Sequence, residues 1–163
     1  MKKLTSICLT ALLLLALAAC GGGGNGGQSK EAPDLNKYYE DFMASLGADN
    51  QPAMMDVDAD LIGQVYPGLE TYGTKQAVLK MAAITAVPCE FALVEVDDAA
   101  NAKAVADILQ ARVDAQVSGG AFYPETTAAW EKAQVITQGN VVALICAGEA
   151  QDQAVEAFNA LFA

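Results

Sequence analysis

The 163-residue chain contains no histidine. That removes the commonest general base and the commonest metal ligand together. Arg112 is its single arginine, and nine Lys and Arg stand against twenty Asp and Glu. A chain so short of cations is a poor partner for nucleic acid or for anionic lipid headgroups. Cysteine is sparse, with four in all, and without histidine no Cys-His nucleophile can form. Apart from Leu4–Ala16, which is almost wholly apolar, no long apolar run occurs. That run is about a dozen residues, short of the roughly 20 of a membrane-spanning helix.

What is present begins with that run. Lys2 and Lys3 precede it, and Leu17-Ala18-Ala19-Cys20 ends it. A basic start, an apolar core and small residues before a cleavage point make a secretory signal. The aliphatic-small-small-cysteine ending resembles the bacterial lipobox at all four positions. It implies a diacylglyceryl thioether on Cys20 and cleavage before it. The plainer alternative is an ordinary secreted protein with an incidental cysteine. Two acyl chains on one residue give stable attachment, whereas one holds marginally. The lipid bilayer is thus an expected partner, and the expected location is the outer face of the cell membrane.

Residues 1–19 carry two of the nine cations and none of the acids, so the remaining 144 residues have a net charge of −13. That length suits one domain with a real core. Residues 20–33 are Gly-rich and polar, too poor in apolar surface to order themselves. A coil of about 12 residues has a reach of roughly 20 Å. The glycine run is not a phosphate loop, because Gly27 is followed by Gln28-Ser29 rather than Lys-Ser/Thr.

The domain is expected over 34–163. Asp34 caps a helix through Leu35, Tyr38, Tyr39, Phe42, Met43 and Leu46, stopped by Gly47. Residues 48–53 read as a turn, and 58–65 as a short helical piece. Gln76–Thr85 and Glu90–Val96 read as strands. Asp97-Asp98 opens a long helix over 99–118 with Ala102, Val105, Leu109, Val113 and Val117 buried. Pro124–Lys132 is a short helix with Trp130 inward. Val135–Gln138, Gly139-Asn140 and Val141–Ala147 form a hairpin. Gln151–Phe162 is the last helix. The expected fold is α+β and two-layer: a four-stranded, mainly antiparallel sheet in β-β-α-β-β-α order, helices on one face, with the N-terminal helix over an edge or end.

Several segments carry a likeness: Ala92–Asp98, Leu109-Gln110-Ala111-Arg112, Tyr123-Pro124-Glu125, and Val135 through Ile145. Over 66–162 the chain resembles a family of Gram-positive lipoproteins with a domain of unknown function, number four-three-five-eight. The resemblance implies an exported, Firmicute-type lipoprotein and transfers no catalytic residue. The cysteines at 89 and 146 depart from its pattern.

Candidate chemistry is thin. Asp56-Val57-Asp58-Ala59-Asp60 opens like a calcium loop, but the sixth and twelfth positions are Leu61 and Pro67 instead of Gly and Glu. An acidic, helix-capping turn is the better reading, and no metal site is expected. Cys89 and Cys146 are a candidate disulfide outside the cytoplasm; their plainer reading is two small buried hydrophobes. Glu90, Glu95 and Glu125 read as solvated acids, since chain spacing shows no facing pair. Tyr123, Trp130 and Arg112 are a candidate ligand groove; alternatively the aromatics are core and Arg112 a rim residue covering it. No cofactor is expected. The resulting expectation is a non-enzymatic, membrane-anchored module that binds a protein, peptide or other envelope component. The alternative is a small-molecule-binding accessory of an envelope transport system.

Overall fold

The computed structural model describes residues 32–163. The signal segment, Cys20 and nearly all of the tether lie outside the described residues. Five helices and five strands follow in the order α1 (Leu35–Ser45), β1 (Met54–Asp56), α2 (Ala59–Val65), β2 (Thr74–Ala82), β3 (Cys89–Val96), α3 (Ala102–Ala115), α4 (Pro124–Trp130), β4 (Gln134–Gln138), β5 (Val141–Ala147) and α5 (Gln151–Ala160). The sheet runs β1-β2-β3-β5-β4, and every neighbouring pair is antiparallel.

The expected four-stranded β-β-α-β-β-α arrangement is not matched. A fifth strand, β1, pairs Met54 with Ala82 and Asp56 with Lys80. Three residues show no alternation, so β1 leaves no periodic trace; β2 selects it by offering an open edge. The layering also differs from expectation. All eight residues of β3 and six of the seven in β5 are buried. Strands apolar on both sides need cover on both sides. The helices therefore lie on both faces, not one.

One face packs Ala92, Val94, Leu144 and Cys146 under Val105, Leu109 and Trp130 of α3 and α4, with Tyr66 closing the side. The opposite face packs Phe91, Leu93 and Ile145 under Leu35, Tyr38 and Phe42 of α1 and Phe158 of α5. The N-terminal helix thus covers a sheet face instead of an edge or end. Phe91 meets Tyr38, Tyr39 and Phe42 at ring-centroid distances of 6.5, 5.5 and 5.4 Å. Such offset and edge-to-face pairs add to plain area burial. The Tyr38 hydroxyl donates to the Ala154 carbonyl at 2.8 Å, joining α1 to α5.

Caps agree with the sequence. Asp34 accepts from the Lys37 N–H, and Asp58 accepts from the N–H groups of Asp60 and Leu61. The long helix keeps α geometry only to Ala115; a wider turn follows, with Gly119 at φ 135°. Val117, expected in the buried stripe, is therefore exposed.

Phe91→Ala is expected to destabilise the domain by about 3–5 kcal/mol, the usual cost of truncating a buried aromatic. Urea unfolding should show a lower midpoint with an unchanged slope.

Candidate functional site

The two buried charged side chains among the described residues, Glu90 and Glu95, sit one on each face. On the α3 face, Glu90 of β3 is 2% exposed. Arg112 of α3 reaches down to it with both Nε and Nη2, at 3.0 and 2.8 Å from the two carboxylate oxygens. The Tyr66 hydroxyl donates to the same carboxylate at 2.8 Å. The guanidinium lies over the Trp130 ring, 5.6 Å from its centroid. Burial works against the Arg112 charge, yet the Glu90 hydrogen bonds and charge outweigh it and raise its pKa. Burial, reinforced by Glu90, holds the Tyr66 phenol well above its ordinary value. This arrangement is closed: the carboxylate is consumed by three donors, so it offers no free base.

On the opposite face, Glu95 accepts from Gln76 Nε2 at 2.7 Å and from Asn140 Nδ2 at 3.0 Å. Gln76 also donates to the Pro33 carbonyl and accepts from the Leu35 N–H. One glutamine thus ties the start of α1 to the sheet. The expectation that Glu90 and Glu95 are solvated is overturned: Arg112 of α3 and Tyr66 supply donors to Glu90, and Gln76 of β2 and Asn140 of the β4–β5 turn supply them to Glu95. They are five residues apart on one strand and point to opposite faces, so they form no carboxylate pair.

Cys89 and Cys146 are both free and buried. Glu90 pairs with Cys146, and Cys89 with Ala147. The register places the two thiols on opposite faces of the sheet. The candidate disulfide is therefore not formed, because the Cβ vectors point apart. Burial pushes both thiols up to about 12, so they are poor nucleophiles.

The candidate groove does not assemble either. Arg112 and Trp130 are together, but Trp130 is buried and Arg112, half-buried, is turned to Glu90. Tyr123 is half-exposed and stacks its edge against Phe122, with centroids 5.6 Å apart. A cleft of about 430 Å³ between α2 and α3 touches Arg112, with Val65, Pro67, Ile108 and Ala111 on its walls. Asp56 is spent on Lys80 at 2.6 Å and Asp58 on capping α2. Among the described residues no three acid or sulfur side chains converge as a metal site.

Two surface features remain. The first is an apolar end. Ile84 and Phe122 are 59% and 87% exposed, with Val87 and Tyr123 also open. Thr126 of α4 donates to the Ala86 carbonyl, holding the start of α4 against the β2–β3 turn. Pro33 and Leu35 are fixed at the other end of β2, at Gln76. The six steps from Gln76 to Ala82 cover about 20 Å. The apolar end thus lies away from the point where residue 32 begins the domain. The second feature is the β4 edge, whose outer side has no backbone partner among the described residues. Neither was legible in the sequence: Ile84 reads as strand interior, and Phe122 stands outside any apolar period.

A family model described as "Domain of unknown function (DUF4358)" matches residues 47–147. No curated protein and no solved structure matches the chain. No described helix is long and apolar enough to cross a membrane.

Arg112→Met should cost about 3–5 kcal/mol, because it strands the buried Glu90 carboxylate. Adding Glu90→Gln, which still accepts from Tyr66, should restore most of that loss in chemical denaturation.

Proposed function

The chain belongs to the DUF4358 family, a membership that assigns no activity, and we propose from its own residues that it is a non-enzymatic, lipid-anchored module of the cell envelope whose domain binds another envelope protein. The anchor is Cys20, on the strength of the Leu17-Ala18-Ala19-Cys20 ending. The observation that carries the binding role is the exposure of Ile84, Val87, Phe122 and Tyr123 on the two segments that the Thr126–Ala86 hydrogen bond joins. Large apolar side chains left open together mark a contact surface. An acidic body is repelled by anionic headgroups, which favours a protein over the bilayer surface as the partner. The reactive side chains support the same reading. The two thiols are buried, and Glu90 is tied to Arg112 and Tyr66.

The test places a photoreactive residue at position 122 or, as control, at exposed Gln64, in the full chain within its native cells. Position 122 is expected to give one defined protein adduct in the membrane fraction, and Cys20→Ala to remove that adduct from the fraction. Equal adducts from 64 and 122, or a membrane fraction indifferent to Cys20, would contradict the reading.

A further inference from the structure

The two edges of the sheet are built differently. β1 is three residues long, follows Pro52, and ends on Asp56 in an ion pair with Lys80. Shortness, a proline and charge are the devices that keep an edge from pairing. β4 has none of them. It runs five residues, Gln134-Val135-Ile136-Thr137-Gln138, without proline or charge. Its inner side is paired with β5 throughout, in unbroken register. An edge left in this state is a template for another strand.

The sequence of β4 says which strand. Laid antiparallel against a second copy and centred on Ile136, the segment matches itself. Ile136 meets Ile136, Val135 meets Thr137 of the same branched shape, and Gln134 meets Gln138. β-branched residues opposite one another are favourable cross-strand pairs. Beyond the strand, Ala133 meets Gly139 and Lys132 meets Asn140. No like charges face each other anywhere along the seam. That matters on a body carrying −13 after residue 19, because an uncharged strip is where two such bodies can touch.

We infer that two copies of this chain join through β4, antiparallel about Ile136, into one continuous ten-stranded sheet. The contact is isologous and uses up both β4 edges. The outer edges of the pair are then the two protected β1 strands, so assembly stops at two. A five-residue seam buries less than the roughly 1,200 Å² of a stable interface. The pair is therefore weak in dilute solution and forms where copies are confined to one surface. In that respect it rests on the anchored reading.

The test is register-specific disulfide trapping of the full chain in membranes, read on a non-reducing gel after mild oxidation. Cys89 and Cys146 are buried and serve as an internal background. Directly opposed Cβ atoms lie about 4.5–5.5 Å apart and diagonal ones about 7–8 Å, so Ile136→Cys should trap on the order of ten times more dimer than Val135→Cys or Thr137→Cys alone. Because Ile136 also packs inward, a second arm mixes Val135→Cys with Thr137→Cys chains, which should trap as efficiently. Equal dimer from every single variant, or none from Ile136→Cys and the mixture, would overturn the pairing. Trapping of Thr137→Cys to a different protein would also overturn it while leaving the partner at Phe122 untouched.

Discussion

The whole domain answers to one requirement: β3 and β5 lie side by side and are apolar on both surfaces. Phe91, Leu93 and Ile145 point one way, and Ala92, Val94 and Leu144 the other. Water has to be excluded from both sides, and at roughly 25 cal/mol per Å² of apolar surface neither can be left bare. Everything else is cover. α3 and α4 close one side, α1 and α5 the other, and β2 and β4 shield the flanks. Position in the chain follows position in space: α1 comes before the first strand and α5 after the last, yet they meet at Tyr38 and Ala154.

The two buried acids fasten this cover to the sheet. Glu90 holds α3 through Arg112 and, through Tyr66, the segment after α2. Glu95, through Gln76, holds the backbone at Pro33 and Leu35 where α1 begins. Exchanging a buried ion pair for apolar residues is often neutral, whereas stranding one partner is costly. Their role here is positional. Each acid fixes where one covering element lands on a sheet whose apolar surface alone would accept a helix in several placements.

Much of the local structure was legible from the residues. Asp34 and Asp58 cap, Gly139-Asn140 turns, and Leu109 and Val113 face inward, because each signal is carried within a few positions. The two-sided burial of β5 was also visible in Val141–Ile145, yet its consequence for layering depends on which helices return to which side. Chain order does not encode that. β1 was missed because pairing with β2, not its own pattern, makes it a strand. Glu90 and Arg112 were seen singly. Their union requires Ala102–Ala115 to lie across β3, a contact separated by 22 residues. The free thiols follow from register alone: an offset of one residue between Cys89 and Cys146 puts them on opposite sides.

Glu90, Glu95 and both thiols are thus engaged inside the domain, and two features face outward: the exposed apolar side chains around Phe122 and the unpaired edge of β4. Both presuppose a rigid sheet whose centre does not open. Native-state hydrogen exchange tests that directly. The account predicts that the amides of Phe91–Val94 and Val142–Ile145 exchange last, together, and only with global unfolding, while those on the free side of β4 exchange far sooner. If β3 and β5 instead exchanged by local opening while α3 stayed protected, the sheet would not be the element on which the fold depends.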